Sequence, residues 1–269
     1  MILFPLMGRS VTRVRGIFLG VAALLCTFQV ALVLQAASFD EQQMFETLGR
    51  MTPGFIQRWL GENFTALASF GGIVAFGYFH PVVVLITALL AAFVASEPAA
   101  DIEDGHVDLL LSRPIARHWL LTRSAVLSLA SPVMLAALML TSTWTAVALF
   151  SPASARGPSA VTLLMLAAHL VAVAWWFGAL SLMLAGMARR RVAAFVPTAI
   201  AAAALYFVNV LAASWRPARA ASVLSPFSYY QGTEIIAGLS NPTRDLFLLG
   251  SSAIILVGLS YWRFRTRDL

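Results

Sequence analysis

Residues 63–96 read NFTALASFGGIVAFGYFHPVVVLITALLAAFVAS, a run of 34 positions with no Asp, Glu, Lys or Arg. A helix crosses the hydrocarbon core of a bilayer with about 20 mostly apolar residues, within a range of about 17–25. The run is uniformly apolar instead of alternating, which excludes a half-buried strand or a strand of a membrane barrel. Its excess length has a local explanation. Gly71, Gly72 and Gly77 precede His80-Pro81, and a proline removes a backbone donor and bends a helix. The expectation is a membrane-spanning helix bent near Pro81.

The same test applied outward finds five further charge-free windows, 16–39, 124–155, 157–188, 192–215 and 246–262. They predict spans over roughly 16–38, 64–96, 123–150, 159–188, 192–214 and 245–262, with Pro132 and Pro197 as further candidate bends. Composition agrees. The chain is 60% hydrophobic and 11% charged, against roughly 45–50% and about 25% in soluble domains. No loop is long enough for a folded soluble domain and no internal repeat is visible. The fold class expected is therefore an all-α integral membrane protein of six transmembrane helices, with residues 1–269 forming one transmembrane domain.

All 18 basic residues are arginine. With both termini in the cytoplasm, the inner side carries Arg9, Arg13, Arg15, Arg113, Arg117, Arg123, Arg189, Arg190, Arg191, Arg263, Arg265 and Arg267. The outer side carries Arg50, Arg58, Arg156, Arg216, Arg219 and Arg244. Twelve against six satisfies the positive-inside rule, and an even number of spans requires both ends on one side. The arginines flank apolar runs and form no basic patch interleaved with aromatics, so nucleic acid is not an expected partner. The segment Ile17 to Ala37 exceeds a signal-peptide core and lacks a small-x-small cleavage site, so it is read as a retained span. Cys26 stands alone and cannot form an internal disulfide. Aromatics in "SPFSYYQG", residues 225–232, suit the membrane–water boundary.

Several chemistries lack their residues. A phosphate-binding P-loop needs a lysine, and the chain has none. No G-x-S-x-G occurs, and His80, His106, His118 and His169 have no metal-ligand spacing. Residues 101–108, DIEDGHVD, supply enough carboxylates to imagine a metal site. They resemble the opening of the membrane CDP-alcohol phosphotransferase motif, but no later acid pair follows. A lipid phosphotransferase is thus the alternative function from the enzyme class. A passive channel or secondary carrier is the third, although the windows hold no ionisable relay of the kind coupled carriers use. Among polar residues inside spans, His80, His169 and Asn209 are candidates for a substrate path, as is Gln29. Helix–helix hydrogen bonding, averaging about 0.6 kcal/mol, is the competing account.

Between the second and third spans, residues 97–122 form a loop with a pattern of its own. On a helix over 99–111, at about 100° per residue, Asp101, Asp104 and Asp108 share one face, and Ile102, His106, Leu109 and Leu110 share another. Such an element cannot cross the bilayer. Acids on it would be repelled by anionic lipid, so a protein partner is the better fit. Exposed apolar runs such as Leu109-Leu110-Leu111 mark interaction sites.

Residues 101–123, DIEDGHVDLLLSRPIARHWLLTR, resemble the signature of ABC-2 type transporter permeases, E-x-E-x-G-T-x-E-L-L-L-x-x-P-x-x-R followed by a basic residue. Asp101, Glu103, Gly105, Asp108, Leu109, Leu110, Leu111, Pro114 and Arg117 occupy the patterned positions. Arg123 stands where a lysine is usual, His106 replaces the threonine, and Glu97-Pro98 lies upstream. A proline midway along the second span and the SPFSYY segment before the last are also similar to that family. The resemblance implies a non-enzymatic permease subunit of an ATP-driven transporter, commonly an exporter, in the plasma or inner membrane of a prokaryote. A second permease subunit, identical or related, would complete the pathway. A separate ATPase subunit would bind ATP and Mg, this chain holding no cofactor itself. The coupling element would comprise Asp101, Glu103, Asp104, Gly105, Asp108, Leu109, Leu110, Pro114 and Arg117.

Overall fold

The computed structural model describes residues 3–38, 69–106, 116, 118–153 and 157–265, with side chains from residue 7 onward. Within these residues the chain is helical, without strands. Six helices are long and apolar enough to cross a membrane, which makes this a multi-pass membrane protein. The first span is α1, Leu3–Ser38. The second is built from α2, Phe70–Phe79, and α3, Pro81–Ala95. A short helix, α4, Glu97–Glu103, follows at once. The remaining spans are α5, His118–Phe150; α6, Ala160–Ala185; α7, Arg191–Ala212; and α10, Pro242–Arg265. Between the last two lie α8, Arg216–Ser222, a 3-10 turn at Pro226–Tyr229, and α9, Gly232–Ala237.

The interruption of the second span falls at His80, whose backbone leaves the helical region at φ −55, ψ 131. Pro81 has no N–H to give and occupies the first position of α3, where none is needed. Pro132 and Pro197 behave differently: α5 and α7 continue through them. Membrane helices tolerate proline where neighbouring helices buttress the freed groups. Pro132 deprives the Ser128 carbonyl of its helical donor, and Gly178 of α6 lies so close there that a Cβ would stand 3.2 Å from the Ser128 Cβ.

Helix α6 is the centre of the bundle. It packs most extensively on α3 and α10, and also on α5 and α7, while α1 lies chiefly along α5. The second span is the most enclosed of the six, with 56% of its apolar window buried against 17% in α7 and α10. Residues such as Val196, Ile200 and Phe207 on α7, and Ile254 and Ile255 on α10, face outward, as lipid contact requires. Between α1, α2 and α5 a polar tripod crosses the core. Gln29 Nε2 donates to Thr143 Oγ1 at 2.9 Å, Tyr78 lies 3.0 Å from the same oxygen, and Thr143 donates to the Met139 carbonyl. Gln29 therefore serves helix packing. It sits so near Gly77 that a side chain there would displace it.

The SPFSYY segment departs from expectation. Phe227 and Tyr230 do not face outward; they are buried with the core of α2, α3 and α6. Phe227 packs against Phe177 and Tyr206, with ring centroids 5.2 Å away in each case. The cause is the break at His80. It frees the Tyr78 carbonyl, because Val82 N donates to His80 Nδ1 instead. Tyr230 supplies the missing donor to that carbonyl at 3.0 Å. Gly232 allows the approach: a Cβ there would lie 2.2 Å from the Phe79 ring.

Candidate functional site

Helix α4 begins one residue after α3 ends, with Ser96 closing one and opening the other. Pro98 fits its first turn, where a missing N–H costs nothing. The helix stops after seven residues because Gly105 adopts φ +68, a left-handed conformation that glycine takes without penalty. The helix expected over 99–111 is thus interrupted at Asp104-Gly105.

Three spans converge on this short helix through ion pairs. Asp101 accepts from Arg123 of α5 at 2.6 Å, with both side chains at 2% exposure or less. Arg13 of α1 donates to Asp104 at 2.6 Å and lies 3.7 Å from Asp101 and 3.9 Å from Glu97. Arg191, the first residue of α7, donates to Glu97 at 2.8 Å, to Ser96 at 3.1 Å and to the Phe93 carbonyl at 3.0 Å. Its guanidinium also lies 3.6 Å above the Phe93 ring, a cation–π contact. Its backbone N–H donates to Glu103 at 2.9 Å. Ser181 of α6 ties down the preceding turn by donating to the Ala92 carbonyl at 2.7 Å.

This arrangement divides the sequence-predicted residues. Asp101, which the resemblance puts in the coupling element, is buried and paired with Arg123 and Arg13. Glu103, Asp104 and Gly105 remain exposed at the end of α4. Asp108, Leu109, Leu110, Pro114 and Arg117 lie outside the described residues. Three participants carry no signal of this role in the sequence: Glu97, Arg13 and Arg191. Only the alternation of spans could have pointed to them, since it sets the start of α1, the end of α3 and the starts of α5 and α7 on one side.

Glu97, Asp101 and Asp104 are paired with guanidinium groups, which leaves them poorly suited to a metal. Among the described residues no group of three His, Cys, Asp or Glu could hold one. Four acids facing three arginines form an almost balanced network. Such a network is costly to break at one member and stiff when complete.

The three pathway candidates separate. Asn209 lines a cavity of about 280 Å³ together with Phe79, Tyr206, Ser228, Gln231 and Thr233. His169 is fully buried and bonded through Nδ1 to the Met165 carbonyl at 2.8 Å; its ring stacks on Tyr230, 5.8 Å away. Tyr230 lines the same cavity, so His169 stands behind its wall. His80 is taken up by the helix break and by Phe28 and Phe76, each with its centroid 5.1 Å from the histidine ring.

Comparisons with protein-family models, with curated protein sequences and with solved structures return no match to this chain.

Proposed function

We propose that this chain is the membrane permease subunit of an ATP-driven transporter of the ABC-2 type, coupled through α4 to a separate ATPase subunit. The observation that carries the reading is the ion network around α4. A part that transmits force from a soluble motor must be stiff, must present an exposed tip, and must be fastened to more than one span. Helix α4 exposes Glu103, Asp104 and Gly105, and it is fastened to α1, α5 and α7 by Arg13, Arg123 and Arg191. The resemblance of residues 101–123 to the permease signature falls on this element. The absence of lysine from the whole sequence fits an ATP site carried by another subunit. In this reading a second copy or a related subunit completes the pathway, and export is the direction the resemblance favours.

Affinity purification from the native membrane tests the proposal. The expected result is co-purification of a subunit labelled by an azido-ATP probe, with ATP hydrolysis in the eluate. Recovery of the intact chain without any nucleotide-labelled subunit would overturn it. The lipid phosphotransferase reading predicts divalent-metal-dependent headgroup transfer abolished by Asp104→Asn. The pairing of these acids with arginine favours the permease.

A further inference from the structure

The segment between α7 and α10 folds back against the break in the second span, and a cavity of about 280 Å³ lies between them. Backbone outside regular helices is tolerated within a membrane domain only where protein buries it or where it lines a polar cavity. Phe79 closes α2 at the break, and Ser228, Gln231 and Thr233 come from the returning segment. Tyr206 and Asn209, three residues apart on one face of α7, form the remaining wall. The polar atoms of this lining are open. Tyr206, Asn209 and Thr233 are half-buried and make no side-chain hydrogen bond among the described residues, yet none of their side-chain oxygens or nitrogens is sealed from solvent. Gln231 commits Nε2 to the Ser228 carbonyl at 3.2 Å, which leaves its Oε1 as an acceptor. Among the described residues, no side chain that lines the cavity is charged. Arg219 donates through Nε to the Ala212 carbonyl at 3.0 Å, and Glu234 follows Thr233, but neither lines the cavity.

We propose that this cavity binds one uncharged glycosyl unit, whose hydroxyls exchange hydrogen bonds with Tyr206, Asn209 and Thr233. A charged ligand would be desolvated here with no opposite charge to meet it. A purely apolar ligand would strip water from three polar groups and return no hydrogen bond. A phenol, a threonine hydroxyl and a carboxamide each donate and accept, as sugar hydroxyls do, so the contacts can form in either sense. The carbon face of a sugar ring suits the aromatic surface of Phe79 and Tyr206. The volume lies at the small end of the range for ligand sites, which limits the occupant to a single unit. Helix α7 starts beside α4 at Arg191 and carries Tyr206 and Asn209 about 25 Å along its axis, so the site lies toward the other end of the bundle. It is independent of the transport reading and stands whether or not an ATPase docks on α4.

Saturation-transfer NMR on the full chain in phosphatidylcholine nanodiscs tests this, with glucose, glucuronate and glucosamine as probes and empty discs as the reference. Wild type should transfer saturation to glucose and bind it about tenfold more tightly than either charged sugar, since burying an unpaired charge costs more than one hydrogen bond returns. Loss of one neutral hydrogen bond weakens binding about fivefold. Asn209→Leu and Thr233→Val, both close in volume to the original side chain, should each show that loss while the unfolding temperature stays near wild type. Glucosyl diacylglycerol built into the discs separates two sources of the same chemistry. Displacement of glucose by it assigns the site to a glycolipid headgroup, and no displacement assigns it to free sugar. Absence of transfer to glucose in wild type would overturn the proposal. So would equal affinity for the three sugars, or glucose binding unchanged in both variants.

Discussion

Asp101 and Arg123 lie 22 residues apart in sequence and meet at 2.6 Å with almost no exposure to solvent. The pair fastens α4 to the first turns of α5. Removing one member of such a pair leaves an uncompensated buried charge, which costs about 3–5 kcal/mol, whereas replacing both with apolar residues of similar volume is often neutral. Asp101→Leu and Arg123→Met should each lower the unfolding midpoint strongly in detergent, followed by tryptophan fluorescence. The double variant should recover most of that loss.

Gly105 ends α4 with φ +68. Among the described residues no atom lies within 4 Å of a Cβ placed there, so the cost expected of a methyl group is that of the backbone conformation. Gly105→Ala should destabilise by about 1 kcal/mol, and Gly105→Asn by less, because asparagine enters the left-handed region more readily. Thermal unfolding of the two variants side by side measures the difference.

Gly232 and Phe79 are in contact so close that the glycine is required by space instead of by conformation. Gly232→Ala should cost about 1–3 kcal/mol, the usual range for overpacking. Phe79→Ala in the same chain should relieve part of that cost, so a double-mutant cycle should report a coupling energy of opposite sign. Additive losses would place the two residues apart.

Tyr230 donates to the Tyr78 carbonyl, which the break at His80 leaves free. Tyr230→Phe keeps the ring in its stack on His169 and removes only the donor. A loss of about 1–3 kcal/mol follows for an orphaned buried acceptor, measurable by unfolding in detergent. Hydrogen exchange should quicken at α9 and the 3-10 turn and stay unchanged in α5.

The six spans were legible because charge-free windows are a property of single segments. The break at Pro81 was legible for the same reason: a proline, three glycines and an overlong window are all local. Pro132 and Pro197 show the limit, since whether a proline interrupts a helix depends on what packs against it. Phe227 and Tyr230 show it again. Their aromatic character suits a membrane boundary, but a carbonyl freed some 150 residues earlier, at Tyr78, draws Tyr230 inward. In the candidate site, the acids of α4 stood out in the sequence, whereas their partners did not. Arg13 and Arg191 are 91 and 88 residues from the acids they bond. Helical projection put Asp101 and Asp104 on one face correctly, but a projection cannot say whether that face meets a partner or the protein's own arginines.

The central claim, that α4 presents its exposed tip to an ATPase, is tested most directly by site-specific photo-crosslinking in native membranes. A photoreactive side chain at Glu103, and in a second sample at Ser240 between α9 and α10, is activated before the membranes are solubilised. The account predicts a crosslinked adduct from position 103 that contains a P-loop ATPase, and none from position 240. An adduct with that ATPase from position 240, or its absence from position 103 while the chain is intact and folded, would contradict it.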